Sequence, residues 1–242
     1  MIKAKKLNIG YNGNLVLKNL TFDLPAGEIT VILGRSGCGK STLLKTLIGL
    51  NPPLSGELEV AGETVDFLSE DSLSLVYGKI GVLYQNSALL NSLSLYENVA
   101  LPIRMHYRDL PHEIEERLVE IRLRQVGLEE SRDKFPSELS GGMRKRGALA
   151  RALVLNPKII LCDEPSAGLD PMTSAEIDDL LIRLKIDLQM TVVVVTHELR
   201  SIEKIADRVM VLHAKQLYFW GKKQELFARE DPFISEFFLK VT

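Results

Sequence analysis

The chain alternates short apolar runs with polar punctuation, and the rhythm changes twice. Residues 2–9 and 15–24 read as two strands joined by the turn Gly10-Tyr-Asn-Gly-Asn14. Polar and apolar positions partly alternate in the second, as in a half-exposed antiparallel strand. Pro25-Ala-Gly27 leads into Glu28-Ile-Thr-Val-Ile-Leu33, a β-branched apolar run that predicts a buried strand. Leu43-Leu-Lys-Thr-Leu-Ile48 opens a helix, which Asn51-Pro-Pro-Leu-Ser-Gly56 breaks. Glu57-Leu-Glu-Val60 reads as an edge strand, residues 69–78 as a short helix, and Lys79–Gln85 as a strand with a polar end.

From Asn86 to about Asn156 the pattern is mostly helical. Pro111 opens a run in which Ile114, Leu118, Ile121 and Val126 recur at near-helical spacing with charges elsewhere. Core strands resume with Lys158-Ile-Ile-Leu-Cys-Asp163. A helix follows Pro171, and Thr191–Thr196 is apolar enough to be buried in a parallel sheet. A helix from Glu198 to about Ala206, a hairpin of Arg208–Leu212 with Gln216–Trp220, and two short helical patterns after Lys222 complete the chain. The expectation is one α/β domain, 1–242, with a helical subdomain at about 86–156 inserted between core strands.

The stretch Gly34-Arg-Ser-Gly-Cys-Gly-Lys-Ser41 lies between the predicted buried strand and the helix, and it fits G-x-x-x-x-G-K-[ST]. Glycines at 34, 37 and 39 let the backbone aim successive N–H groups at an anion, and the helix start adds its positive dipole end. Lys40 can reach β- and γ-phosphates, and the Ser41 hydroxyl is placed to ligate Mg²⁺. The competing reading is a glycine turn between strand and helix with an incidental lysine; the full motif in its proper strand–helix context outweighs it. A nucleoside triphosphate is the predicted ligand.

Two further stretches carry chemistry. Asp163-Glu164 ends a predicted strand: Asp163 suits Mg²⁺, and Glu164, one residue beyond, can polarise a water. Leu139-Ser-Gly-Gly-Met143 precedes an apolar helix bearing Ala148, Leu149, Ala152 and Leu153, so its N–H groups can also meet an anion. A plain N-cap with flexible glycines explains that stretch equally well when it is taken alone.

Composition adds limits. The 242 residues are 45% hydrophobic and 26% charged with net charge −2, the balance of a soluble globular chain without an implied nucleic-acid partner. Lys3–Lys6 and Arg144-Lys-Arg146 are local basic runs, expected to be solvated faces. No apolar stretch approaches the eighteen or so residues of a membrane span, and the first residues lack a secretion signal, so a cytosolic location is expected. Cys38 and Cys162 have no metal-ligand spacing and read as reduced thiols.

The P-loop, Leu-Ser-Gly-Gly and Ile-Leu-Cys-Asp-Glu-Pro165, in this order and spacing, resemble the ATP-binding cassette ATPases that power membrane transporters. That resemblance implies a P-loop core with an antiparallel β subdomain and the inserted helical one. It implies ATP contacts from Tyr11, Val16, Gly34, Arg35, Ser36, Gly37, Cys38, Gly39, Lys40, Ser41 and Thr42. Across a head-to-tail homodimer, Ser140, Gly141, Gly142 and Asp170 of the other subunit would complete the site. Gln85 would touch Mg²⁺ and the attacking water beside Ser41 and Asp163, and His197 would contact the γ-phosphate and hold Glu164's water in place.

Membrane permease subunits would dock near Gln85, placing the chain at the cytoplasmic face of a bacterial inner membrane. Tyr84–Ile103 and Gly141–Arg146 further resemble the ATPases of MCE-type phospholipid transport systems, which implies a lipid-binding MCE partner. Amino-acid or lipoprotein transporters share part of that pattern, and soluble iron–sulfur assembly ATPases share the cassette. The sequence departs from the commoner pattern at Gly147, expected to loosen its helix by about 1 kcal/mol relative to alanine, and at Cys162.

Overall fold

The computed structural model describes residues 1–239. Strands β1 (Ile2–Tyr11) and β2 (Asn14–Leu24) form an antiparallel hairpin in which Ile2 faces Leu24 and Tyr11 faces Asn14. Strand β3 (Ile29–Leu33) and helix α1 (Lys40–Leu47) follow, then β4 (Ser55–Val60), β5 (Glu63–Thr64), α2 (Glu70–Lys79) and β6 (Ile80–Leu83). Helices α3 (Leu95–His106), α4 (His112–Gln125) and α5 (Gly141–Leu153) fill most of the stretch before β7 (Ile159–Asp163). The rest runs α6 (Pro171–Leu188), β8 (Thr191–Val195), α7 (Leu199–Ile205), β9 (Arg208–His213), β10 (Gln216–Lys222), α8 (Lys223–Phe227) and α9 (Pro232–Leu239).

Two sheets organise these elements. One has the order β10-β9-β3-β8-β7-β6 and is parallel except for β10; the other is the antiparallel sheet β2-β1-β4-β5. The edge-strand expectation for residues 57–60 is corrected: β4 pairs with β1 on one side and with the two-residue β5 on the other. A two-residue strand is too short to leave a period in the sequence.

The uniformly apolar strands are explained by burial on both faces. Val31, Leu33, Val192 and Val194 face one core with α3–α7, whereas Ile32, Val193 and Val195 face a second core with α1 and the antiparallel sheet. Parallel strands sandwiched this way need no polar alternation. Their C-terminal ends come out along one edge, where ligands bind in open α/β sheets.

The helical stretch departs from its sequence pattern. On α4 the buried residues are Glu115, Val119, Arg122 and Leu123, while Ile114 and Ile121 are 48% and 43% exposed. Paired polar groups displaced the apolar face. Glu115 accepts from Tyr96 Oη at 3.0 Å and from Arg104 at 2.8 and 3.0 Å, and the Arg104 guanidinium holds its carboxyl below the usual range. Satisfied charges can be buried, and a periodicity count does not see their partners.

Gly147 lies in α5 where that helix meets α3. A Cβ there would stand 2.6 Å from Leu95 Cδ1, so the missing side chain is what lets α5 lie against α3. Gly147→Val is therefore expected to lower stability by about 1–3 kcal/mol through overpacking. Urea unfolding checks this, and an unchanged midpoint would contradict it.

Asp178 on α6 is buried, accepts from Ser201 Oγ at 2.9 Å, and leaves Oδ1 without a partner among the described residues. Burial pushes its carboxyl up to about 6. A carboxyl raised above its unfolded value of about 3.9 destabilises the fold once it ionises, so stability falls as pH rises from about 4 through 6. Asp178→Asn should gain roughly 1–2 kcal/mol at pH 8 and nothing below pH 4, the adjoining cavity admitting some screening solvent. Unfolding measured across pH tests this; a gap that does not change with pH would contradict it.

Candidate functional site

At the C-terminal edge of the parallel sheet lies a cavity of about 750 Å³. Its floor is the turn between β3 and α1. Gly34, Gly37 and Gly39 have φ of 157°, 76° and 107°. At Gly34 a Cβ would fall 2.7 Å from the Leu212 carbonyl oxygen, and at Gly39 it would fall 2.9 Å from Leu17. Only glycine fits at either place, and the resulting turn lays backbone N–H groups along the cavity floor at the start of α1. Lys40 Nζ folds back onto the Gly34 and Arg35 carbonyls at 2.6 and 3.2 Å, within a swing of the cavity centre.

The walls come from three strand ends. Asp163 closes β7, Val195 closes β8, Gln85 lies two residues past β6, and Glu164 and His197 extend beyond β7 and β8. Burial first, then the neighbouring Glu164, pushes the Asp163 carboxyl above its ordinary value, while Lys40 and Lys145 oppose that rise. A divalent cation would be favoured beside such a carboxylate. Ser41, Gln85 and Asp163 line the same space and form an oxygen donor set of the kind Mg²⁺ takes together with phosphate oxygens.

Glu164 has φ of 48°, a left-handed conformation that a glutamate adopts only under constraint. Its N–H donates to the Val195 carbonyl at 2.8 Å. One carboxylate oxygen lies 2.9 Å from His197 Nδ1, and the other is buried without a partner among the described residues. Glu164 lines the cavity, and its carboxylate is a group there suited to take a proton from a bound water. Asp163 and Glu164 thus sit side by side with different surroundings, one held among cations and one against a histidine.

Not every expected residue lines this cavity. Val16 does; Tyr11 stays 44% exposed in the β1–β2 hairpin and is not part of the lining. Cys38 is half-buried and packs toward the core behind the loop, so only its backbone can serve a phosphate. Ser140, Gly141, Gly142 and Asp170 lie outside it altogether. Ser140 caps α5, accepting from Met143 N–H at 3.2 Å, and Asp170 caps α6 through the Met172 and Thr173 N–H groups at 3.0 Å. The two caps adjoin: a Cβ at Gly142 would meet Thr173 Cγ2 at 2.4 Å, and one at Gly141 would meet Leu169 at 3.0 Å.

Three residues were missed by sequence reasoning. The Arg144–Arg146 run is not a solvated face: Lys145 is 5% exposed and donates to the Gln85 and Glu164 carbonyls at 2.5 and 3.0 Å. Arg146 donates to the Val126 carbonyl. Arg151 holds the Ser87 and Ala88 carbonyls at 3.0 and 2.7 Å. The available signal was position, because Lys145 shares a helical stripe with the buried Gly142, Ala148 and Leu149.

With this geometry in place, comparison with known proteins decides the family. A family model described as ABC transporter matches residues 17–167, from the hairpin beside the cavity through the strand that bears Asp163 and Glu164. The chain belongs to the ABC transporter family. A probable ribonucleotide transport ATP-binding protein of Mycobacterium leprae is 39% identical over 98% of the chain and 68% of its own length. A methionine import ATP-binding protein of Clostridium tetani is 37% identical over 96% of the chain and 72% of its own length. The chain thus spans about two thirds of the length of these relatives.

Among solved structures, cbiO1 of Clostridium perfringens, part of the transporter complex cbiONQ, superposes with TM-score 0.87 at 32% identity. That match covers 99% of this chain and 94% of the other. The ATP-binding cassette MJ0796, solved as a dimer in a post-hydrolysis state with ADP and phosphate, superposes with TM-score 0.83 at 33% identity. It covers 92% of this chain and 99% of the other. The fold is that of an ABC ATPase: a mixed α/β core with an antiparallel sheet and helical parts. The chain is an ATP-binding, ATP-hydrolysing transporter subunit.

Proposed function

We propose that two copies of this chain hydrolyse ATP between them to drive a membrane permease. The observation that carries the reading is the convergence of Lys40, Ser41, Gln85, Asp163, Glu164 and His197 on one cavity, with Ser140–Gly142 on the outside of the same chain. The glycine turn, Lys40, Arg35, Ser36 and Thr42 bind the phosphates, and Val16 with Tyr11 sits on the nucleoside side. Ser41, Gln85 and Asp163 hold Mg²⁺, which when bound neutralises phosphate charge. Glu164 takes the proton from a water whose oxygen attacks the γ-phosphorus while the bond to the β–γ bridging oxygen breaks and ADP leaves, and His197 orients that carboxylate. Ser140, Gly141, Gly142 and Asp170 serve the nucleotide of the facing copy.

Among the described residues no helix is long and apolar enough to cross a membrane. Attachment at the cytoplasmic face of a bacterial inner membrane would therefore pass through the permease. A groove of about 320 Å³ between β6, α3 and α5, lined by Tyr84, Met105 and Arg151, adjoins Gln85 and fits a short helix of that partner. The cargo reading is phospholipid, with an MCE-type lipid-binding partner. It is supported by the resemblance of residues 84–103 and of Met143 to that class, segments that border this groove or open α5.

The names of the curated relatives favour a second reading, import of a small solute such as an amino acid or nucleotide. Affinity purification of tagged protein from detergent-solubilised membranes, followed by mass spectrometry, separates them. A permease with an MCE protein and bound phospholipid is expected. A permease with a solute-binding protein would replace the cargo, and soluble iron–sulfur assembly proteins would overturn the transporter role.

A further inference from the structure

The buried ammonium of Lys145 has no carboxylate partner among the described residues. It donates instead to two backbone carbonyls, Gln85 and Glu164, from segments 60 and 19 positions away in sequence. Burying a lysine head is costly unless its donors are used, and here two of three are spent on the residues flanking the cavity. Burial pulls its pKa down while Glu164 and Asp163 pull it back up.

The two carbonyls belong to strained segments. Glu164 has φ of 48°, and past Gln85 the backbone passes through Ser87 and Ala88 at φ of 60° and 50°. Such conformations are costly for residues other than glycine and persist only where the surroundings over-determine them. Around Glu164 the surroundings are Val195, which accepts its N–H, and Lys145 and Ala167, which donate to its carbonyl. Around the loop after Gln85 they are Lys145 and, two turns along the same helix, Arg151 on the Ser87 and Ala88 carbonyls. One helix therefore holds both segments, and its first turn is Ser140–Gly142.

We infer that Lys145 is a positioning residue for ATP hydrolysis: it locks the Gln85 and Glu164 backbones to each other and to the helix opened by Ser140. The inference rests on the reading of Gln85 and Glu164 as site residues given above. Shifts of the helical stretch relative to the core reach the Glu164 backbone through this ammonium, and the permease-side loop through it together with Arg151. Lys145 touches neither phosphate nor water in this role; it acts through the two peptides it binds.

The test is Lys145→Met, which keeps stem length and removes the donors, with Lys145→Arg as the conservative variant. In the Met variant kcat should fall roughly 10- to 100-fold while the dissociation constant for MgATP stays within about threefold, and Arg should recover most of the loss. In nucleotide-free protein, hydrogen exchange should speed up at least about tenfold at Ser87 and Ala167, with β1 and β2 unchanged. Those amides close the turns onto Tyr84 and Glu164.

Unaltered kcat and exchange in Lys145→Met would overturn the inference. So would equal losses of affinity and unfolding midpoint that Arg does not recover, which mark a merely structural lysine. If the Met variant does not accumulate, the same exchange measurement on Lys145→Gln decides. Persisting turnover in Glu164→Gln would remove Glu164 as the base without altering the exchange result, so the two failures can be told apart.

Discussion

Glu164→Gln is expected to lower ATP turnover by about 10²- to 10⁴-fold while leaving MgATP affinity within about threefold. The substitution is close to isosteric, and the amide can still meet His197 Nδ1, which lies 2.9 Å from Oε1. What is lost is the ability of a carboxylate lining the cavity to take a proton. An interaction made only as the water loses its proton should disappear from kcat and not from binding. Phosphate release at saturating ATP and a calorimetric titration measure the two quantities separately. Turnover that persists would assign proton removal to another group.

Lys40→Ala acts on the other quantity. The side chain is the mobile cation of the phosphate loop, parked on the Gly34 and Arg35 carbonyls at 2.6 and 3.2 Å. Turned toward the cavity, it gives charge-assisted hydrogen bonds to phosphate oxygens, each worth about 1.5–3 kcal/mol. Its removal should weaken MgATP binding by about 3 kcal/mol, roughly a hundredfold. Loss of Lys40 also leaves Asp163 without one of the cations that favour its ionised form. Affinity unchanged in the calorimeter would mean that the glycine turn does not hold the phosphates.

These two residues were legible in the sequence because the chemistry fixes the residue types. A turn that must avoid the Leu212 carbonyl accepts only glycine, and a strand buried on both faces, such as Thr191–Val195, must be apolar throughout. The family pattern is built from these constraints, so the fold and the general activity followed from it. The illegible parts depend on partners distant in sequence. Glu115 and Arg122 are buried on α4, ahead of Ile114 and Ile121: Tyr96 and Arg104 satisfy the carboxylate, and Gln125 and Asn156 accept from the two terminal guanidinium nitrogens, leaving only Nε without a partner among the described residues.

Gly147 illustrates the same limit. Propensity counts only the helix it sits in, whereas Leu95 of the facing helix decides what fits. Lys145 read as one charge in a basic run, because carbonyls that accept its hydrogen bonds leave no trace in side-chain identity. Tyr11 is the converse case, matched by motif yet exposed and apart from the cavity lining in the single chain.

The central claim is that ATP is hydrolysed between two copies, each supplying a P-loop to one nucleotide and Ser140–Gly142 to the other. Light scattering of the Glu164→Gln variant, with and without MgATP, tests it most directly, because binding is retained and turnover no longer separates the pair. A mass that doubles on addition of MgATP and returns to that of the monomer on its removal is the predicted result. A monomer that holds MgATP at full occupancy without associating would contradict the account.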